Sequence, residues 1–246
     1  MGFAYATRAS KGARNYQEDS AEVREASDVL TAVLADGMGG HTGGALASGL
    51  ACKCFLHAFA TSSGDLAARL AEALDLANAA IAHETAENPA LNGMGCTLIG
   101  AAFSPHGVEW VSVGDSPLYL VRDREIVLLN EDHSLAPEID KLAAAGKISW
   151  ASARADPRRH FLRLAVTGTE IDLIDRSHRP LALQPGDVVI LASDGIHSIS
   201  QEQIAGVVAR KREPDAVADA LLAAVEDTRE QHQDNTTVIV VRVLEG

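Results

Sequence analysis

The sequence predicts an α+β fold, a four-layer α-β-β-α sandwich in which two antiparallel sheets are flanked by pairs of helices. Short apolar strands follow one another with only Gly or charged turn residues between them, which is typical of antiparallel hairpins. The helical segments come in pairs instead of following each strand, which argues against a doubly wound parallel sheet. The chain of 246 residues has no internal repeat and no linker rich in Pro, Gly or Ser, so we expect a single domain over residues 1–246.

The first third of the chain is predicted to supply strands and then one pair of helices. A Gly-rich turn separates the last apolar run from two long segments rich in Ala and Leu. The spacing of their apolar residues suits helices that pack on a sheet. The predicted strands cover residues 3–9, 21–24 and 29–35, and the predicted helices cover residues 45–61 and 65–88.

The middle of the chain reads as strands in quick succession. Gly107, Gly114 and the pair 122–123 interrupt the apolar runs at the places where hairpin turns belong. The predicted strands cover residues 97–103, 108–113, 118–121 and 125–129.

The last part of the chain begins with a short helix over residues 135–145, which ends at Gly146 in the usual helix-stop position. Residues 147–160 are polar and are predicted to be irregular. Further strands are predicted over residues 161–166, 171–176, 188–192 and 236–243, and further helices over residues 201–210 and 215–231.

The charge balance excludes some classes of partner. There are 21 Lys and Arg residues against 34 Asp and Glu residues, which gives a net charge of −13. So acidic a surface repels phosphate backbones, and we therefore expect no binding of nucleic acid or of anionic membranes. Carboxylates gathered in one place would instead attract metal ions.

We also expect a cytoplasmic protein. We expect no membrane-spanning segment, because no apolar stretch approaches the about 20 residues that span a bilayer, and the first ten residues lack the apolar core of a signal peptide. The three cysteines, Cys52, Cys54 and Cys96, are too few for a disulfide framework, and we interpret them as small apolar side chains.

The most informative pattern is the position of the acidic residues. Asp36, Asp194 and Asp234 each adjoin a strand apolar enough to be buried, and Glu18 and Asp115 lie beside shorter strands. Any one of them could simply cap a turn, since Asp-Gly is a common turn dipeptide. Together they form a recurring set without adjacent basic partners. Oxygen ligands without His or Cys select hard cations such as Mg²⁺ or Mn²⁺, and two such ions can hold and ionise a water molecule.

Several short motifs follow one another along the chain. They are GARNYQEDS from residue 12, ADGMGGH from residue 35, GMGCTL from residue 93, VGDS from residue 113, EDHS from residue 131, PGDVVILASDG from residue 185 and DNTTV from residue 234. In this order and spacing they resemble the motifs of the metal-dependent protein phosphatases of type 2C, the PPM family, in their short bacterial-like form. The resemblance runs almost from end to end.

The resemblance implies a serine/threonine phosphoprotein phosphatase that uses two Mn²⁺ or Mg²⁺ ions, with a third, weaker ion in many members. In the family, a hydroxide that bridges the two ions attacks phosphorus. Asp36 would bridge both ions, and Asp19 would support the neighbouring ligands. Arg14 would bind the phosphoryl group, because a planar guanidinium can hold two of its oxygens. The implied metal ligands are Glu18, Asp36, the carbonyl of Gly37, Asp115, Asp194 and Asp234.

Two positions depart from the family pattern. Met38 stands where many eukaryotic relatives have a His that protonates the leaving group, and His41 nearby is either its replacement or a solvated loop residue. Pro117 stands where relatives usually have Arg, and it removes a charge and a backbone donor beside Asp115, so we expect weaker or altered metal binding there. His133 belongs to a family motif and is expected to be structural.

A basic segment follows the short helix of residues 135–145. It corresponds to the variable flap near the family's active site, which we place at residues 147–163. Arg158 and Arg159 are predicted to bind substrate by guiding phosphorylated peptides toward the metal ions. The alternative is an ordinary solvated charged loop.

The expected partners are proteins phosphorylated on Ser or Thr, including a cognate kinase or its substrates, and a monomer is the default state. A catalytically silent module that binds phosphoproteins is the main alternative, and hydrolysis of a small phosphorylated metabolite is another. Silent relatives usually lose metal acids, whereas this chain keeps Glu18, Asp36, Asp194 and Asp234, which favours the enzyme.

Overall fold

A computed structural model describes residues 1–26, 28–40 and 42–245. The strands are β1 (Gly2–Ser10), β2 (Asp19–Ala26), β3 (Val29–Met38), β4 (Gly95–Cys96), β5 (Leu98–Ser104), β6 (Gly107–Val113), β7 (Leu118–Arg122), β8 (Glu125–Leu128), β9 (Asp175–Arg176), β10 (Val188–Ala192) and β11 (Thr236–Leu244). The helices are α1 (Thr42–Thr61), α2 (Leu66–Glu87), α3 (Ala136–Ala144), α4 (Trp150–Arg154), α5 (Gln201–Arg210) and α6 (Pro214–Asp227).

The strands form two antiparallel sheets. The first sheet has the order β1-β11-β10-β7-β8, and the second has the order β2-β3-β5-β6-β9, with β4 paired to the end of β3. Chain neighbours such as β2 and β3 or β5 and β6 are joined as hairpins. The predicted class, antiparallel sheets flanked by helix pairs, is therefore confirmed.

Period-two alternation along the central strands divides the core into layers. In β3, Ala32 and Leu34 face the first sheet and pack with Leu191 and Ile239, whereas Val33 and Ala35 face outward onto helices. These inner side chains are at most 2% exposed. Packing between the two sheets therefore fixes their relative position, and it fixes the positions of the strand ends as well.

Each sheet is covered on its outer face by a pair of helices. Helices α1 and α2 pack on the second sheet, and α5 and α6 pack on the first. Helix α2 begins at Asp65, whose carboxylate accepts the Ala68 N–H, and α5 begins with a capping box between Ser200 and Gln203. The predicted helix pairs are confirmed.

Helix α1 comes closer to a membrane span than its sequence led us to expect. Its 20 residues are long and apolar enough to cross a bilayer by length and composition alone. Its buried face, which includes Ala51, Phe55 and Phe59, packs against the second sheet and α2. That packing makes α1 a core helix of this fold.

The prediction fails mainly in residues 147–176. The segment expected to be irregular contains α4 and a 3-10 helix at Pro157–His160. The strand expected over residues 161–166 does not form, because only isolated bridges tie Leu162 to Ser134 and Val166 to Cys96. Of the strand expected over residues 171–176, only β9 pairs, with β6. In this region tertiary contacts override the apolar alternation.

Candidate metal centre and cleft

The acidic residues meet where strands of both sheets end. Asp19 opens β2 and lies opposite Asp36 of β3 as its antiparallel partner. Asp194 begins a short 3-10 helix just after β10, and Asp234 lies just before β11. Asp36 lies inside β3, since the strand runs on to Met38 by pairing with β4. Four separate strands thus bring their acids to one edge of the sandwich.

This edge opens into a cleft of about 1000 Å³. One wall is formed by the strand ends and the other by residues 160–172. The cleft brings together most of the residues that the sequence singled out. Those lining it are Arg14, Glu18, Asp36, Gly37, Asp115, Asp194 and Asp234.

Asp19 lies behind the cleft wall and is only 8% exposed. The hydroxyl of Ser193 donates to its Oδ2 at 2.8 Å, and the same hydroxyl oxygen accepts the backbone N–H of Thr237 at 2.9 Å. Ser193, which sequence reasoning gave no role, therefore links the ends of β2, β10 and β11. The only sequence signal for it is its position directly before Asp194.

Asn235 likewise links separate segments of the chain, on the Glu18 side of the cleft. Its side-chain oxygen accepts the Glu18 backbone N–H at 2.8 Å, and its amide group donates to the carbonyls of Lys11 and Tyr16, each at 2.9 Å. Its own backbone N–H donates to Asp234 Oδ1 at 2.8 Å. One buried amide thus fixes the loop before β2 against the start of β11. Asn235 lies within the motif DNTTV, but no function was predicted for it from the sequence.

Gly37 has a steric reason to be glycine. A Cβ atom at this position would collide with the backbone carbonyls of Gly44 and Glu18. The Gly37 N–H donates to the Glu18 carbonyl at 3.1 Å, so the backbones of β3 and the segment before β2 touch here. The absence of a side chain lets Glu18 and the Gly37 carbonyl line the same cleft.

The carboxyl groups of the cleft are electrostatically frustrated. Burial, reinforced by Asp194 and Asp234, raises the pKa of Asp19 to about 6. Burial together with Asp194 and Asp132 raises the pKa of Asp115 to about 7. The pKa values of Asp36 and Asp194 are also raised, first by burial and then by neighbouring carboxylates. Charged together, these groups need a cation.

The donor set fits hard divalent cations. Glu18 Oε1, Asp19 Oδ1 and Asp194 Oδ1 are buried oxygens without a hydrogen-bond partner among the described residues. The cleft supplies carboxylate and carbonyl oxygens, which Mg²⁺ and Mn²⁺ prefer. Within the described ranges no three His, Cys, Asp or Glu side chains already converge as one ion's ligand set.

Arg14 places a cation beside these carboxylates. Its Nη2 lies 2.5 Å from Asp234 Oδ2, and the two side chains are 51% and 38% exposed. An exposed pair of this kind contributes little to stability. The guanidinium is thus free to exchange its carboxylate partner for another anion in the same cleft.

Asp115 and Ser116 lie on the turn that follows β6. Thr97 links this turn to β3, since its hydroxyl lies 2.7 Å from Ser116 Oγ and its oxygen accepts the Asp36 backbone N–H at 3.0 Å. Thr97 lines the cleft and was missed by sequence reasoning. Pro117 accepts the Ala192 N–H through its carbonyl at 3.1 Å, so this proline also joins β7 to β10.

The flap meets the cleft through residues other than the predicted arginines. His160, Phe161 and Arg163 line the cleft, whereas Arg158 and Arg159 do not. Arg158 pairs with Asp156 at 2.6 Å, and Arg159 pairs with Asp140 at 2.5 Å. Met38 lines the cleft as well, and His41 lies outside the described residues.

Comparison with known proteins gives the family. The sequence profile of the family described as protein phosphatase 2C matches residues 8–235. The serine/threonine protein phosphatase PstP of Mycobacterium tuberculosis is 33% identical in a match that covers 98% of this chain and 45% of that protein. The serine/threonine phosphatase stp of Listeria monocytogenes is 31% identical over 93% of this chain and 90% of its own length. The chain belongs to the protein phosphatase 2C family.

A solved structure extends the match to the whole fold. The catalytic domain of PstP in complex with two manganese ions superposes with a TM-score of 0.80 at 32% identity, covering 99% of each chain. Since this chain spans less than half of the full mycobacterial relative, it corresponds to that relative's catalytic domain. The four-layer sandwich is therefore shared with a structure that holds two manganese ions.

Proposed function

We propose that this chain is a metal-dependent phosphoprotein phosphatase that hydrolyses phosphoserine and phosphothreonine. The observation that carries the proposal is the meeting of Arg14 with four acids near strand ends, Glu18, Asp36, Asp194 and Asp234, in a single cleft. Phosphoryl transfer needs cations and a guanidinium around the phosphoryl oxygens, because the transition state concentrates negative charge there. The named activities of the mycobacterial and listerial relatives support the same reaction.

The residues divide the work by position. Asp36, Asp194 and Asp234 would hold one Mn²⁺ or Mg²⁺ ion, and Glu18, the Gly37 carbonyl and Asp36 would hold the second. Two such ions, when bound, make water nucleophilic at neutral pH and offset charge on the phosphoryl oxygens. Arg14 orients the phosphoryl group at the cleft mouth.

Other residues would hold the proposed metal ligands in position. Asp19 and Ser193 hold the ends of β2 and β10 together, and Asn235 holds Glu18 beside Asp234. Asp115 would bind a third cation with lower affinity. The loss of a backbone donor at Pro117 would lower that affinity further. The whole of residues 1–246 would act as one catalytic domain with residues 147–163 as its flap.

The substrates we propose are phosphorylated proteins, among them a cognate kinase or that kinase's targets, in the cytoplasm and with the enzyme as a monomer. The net charge of −13 supports the exclusion of nucleic acid and anionic membranes. Arg158 pairs with Asp156 of the flap and Arg159 with Asp140 of α3, so these arginines would attract phosphopeptides only through their long-range field.

The test is hydrolysis of an aryl phosphate and a phosphothreonine peptide by the purified chain with manganese, with magnesium and with chelator. We expect turnover of both substrates with a divalent ion and none with chelator. A folded protein that binds the phosphopeptide but hydrolyses neither substrate with either ion would instead be a silent phosphoprotein-binding module. Turnover of the aryl phosphate alone would indicate a small-molecule phosphatase.

A further inference from the structure

His133 is fully buried and contacts the turn that carries Asp115. The backbone N–H of Gly114 donates to His133 Nδ1 at 3.2 Å, and the backbone N–H of His133 donates back to the Gly114 carbonyl at 3.0 Å. Gly114 has φ +107, a conformation that L side chains rarely adopt. The imidazole thus accepts a hydrogen bond from the backbone directly before Asp115.

Residues 133–135 also form hydrogen bonds with the end of the flap. Arg163 donates its backbone N–H to the His133 carbonyl at 2.8 Å and its Nε to the Ser134 carbonyl at 3.0 Å. Leu135 donates to the Phe161 carbonyl at 3.0 Å, and Ser134 bridges Leu162. Residues 133–135 therefore lie between the Asp115 turn and residues 161–163, both of which face the cleft.

The chemistry of the imidazole suits a fixed acceptor. Burial lowers the pKa of His133, which keeps the ring neutral with a lone pair on Nδ1 and its proton on Nε2. Nε2 is buried and has no hydrogen-bond partner among the described residues. A buried polar atom left unpaired is costly, so the favourable polar contact of this ring is the one that Nδ1 makes.

We propose that His133 is a positioning residue that ties the Asp115 turn to residues 161–163, so that cation binding at Asp115 and the conformation of the flap are energetically coupled. The cation half of this inference rests on the proposed phosphatase metal site. The tie itself is present without any ion, because it consists of hydrogen bonds within the chain.

The test is amide hydrogen exchange of the whole protein, first with chelator and then with millimolar Mn²⁺. With chelator, His133→Leu should speed exchange about threefold to tenfold in peptides that cover residues 112–116 and 159–165, since the lost acceptor frees the Gly114 amide and loosens both neighbours. With Mn²⁺, the wild type should slow exchange in both segments, and His133→Leu should slow it in residues 112–116 alone.

Two variants separate positioning from general destabilisation. His133→Asn places its Oδ1 where Nδ1 lies and should restore exchange in both segments to within about twofold of the wild type. Val207→Ala, a truncation in the core under α5, should lower the melting temperature without changing exchange in residues 159–165.

Two results would overturn the proposal. One is unchanged exchange in residues 159–165 of His133→Leu with chelator. The other is Mn²⁺ protection that reaches the flap equally in His133→Leu and in the wild type. If the wild type shows no Mn²⁺ protection and no Mn²⁺-dependent hydrolysis, the proposed function and the cation half of the inference both fail. The chelator comparison still tests the tie by itself.

Discussion

The two walls of the cleft are built in different ways. The strand-end wall takes its acids from β2, β3, β10 and β11, whose pairing and layered core leave these strands little freedom. The flap wall, by which we mean residues 160–172 together with the adjoining flap residues from 147 onward, consists of short helices and single bridges. Phe161 is 60% exposed there, and Arg158, Arg159 and Arg163 pair with acids within residues 138–163. Chemistry that depends on fixed distances is placed on the rigid wall, and contacts that adapt to a substrate are placed on the other.

This contrast gives the order of the expected mutational effects. Substitutions on the strand-end wall should abolish turnover of every substrate, because each substrate meets the same cations. Substitutions on the flap wall should change the preference among substrates, because only large substrates extend to it.

The largest effect is expected from Asp194→Ala on the strand-end wall. Losing one carboxylate ligand should lower kcat/KM at least about 10³-fold for both an aryl phosphate and a phosphothreonine peptide, since the nucleophile and the charge offset both depend on the cation. Steady-state kinetics with saturating manganese would measure this. Asp172→Ala is the matched control, because Asp172 is an acid of the same cleft on the opposite wall. We expect it to lie within about threefold of the wild type, and equal losses in both variants would erase the contrast.

Arg14→Ala is expected to follow, with a loss of about 10²-fold in kcat/KM for both substrates, because the phosphoryl group loses its bidentate partner. Arg14→Lys should recover only part of this activity, since an ammonium cannot form the paired hydrogen bonds. Binding of Mn²⁺, followed by calorimetry, should stay nearly unchanged in both variants. A loss of Mn²⁺ affinity in Arg14→Ala would assign the residue to the metal site instead.

The strand-end wall should also make the metal-free protein sensitive to pH. The pKa of Asp115 rises to about 7 in the folded state from an ordinary value near 4, so the folded protein binds more protons than the unfolded chain between these values. The free energy of unfolding should therefore fall as pH rises from about 4 to about 7, by on the order of 1–3 kcal/mol from this group.

Asp115→Asn should flatten that slope, because an amide does not titrate. Urea unfolding in chelator across this pH range would measure the difference between the variant and the wild type. Identical slopes in the two proteins would contradict the raised pKa of Asp115.

The smallest effect is expected on the flap wall. Replacing Arg158 and Arg159 together by Ala should raise KM for a phosphothreonine peptide about threefold and leave an aryl phosphate unaffected, because exposed ion-paired arginines act only at long range. Added salt should shrink the difference. An equal rise for both substrates would show that these residues act on the cleft and not on the peptide.

The same contrast explains how much could be predicted from the sequence. Strands such as β3 and β10 are continuous apolar runs followed by an acid. The residues alone therefore predicted that these segments are strands and that their acids cluster. Residues 161–166 show similar apolar alternation, yet they pair only at single bridges because residues 133–135 and the cleft decide their path. Asn235 and Ser193 were missed because their roles lie in contacts between distant segments, which spacing along the chain does not encode.

The most direct test of the central claim is the number of Mn²⁺ ions that the chain binds before and after a change at the shared acid. We expect calorimetry to find two tightly bound ions in the wild type and a loss of affinity at both sites in Asp36→Asn, because that carboxylate would serve both ions. Circular dichroism would confirm that the variant is folded. Two ions bound with unchanged affinity by folded Asp36→Asn would contradict a metal centre built on the strand ends.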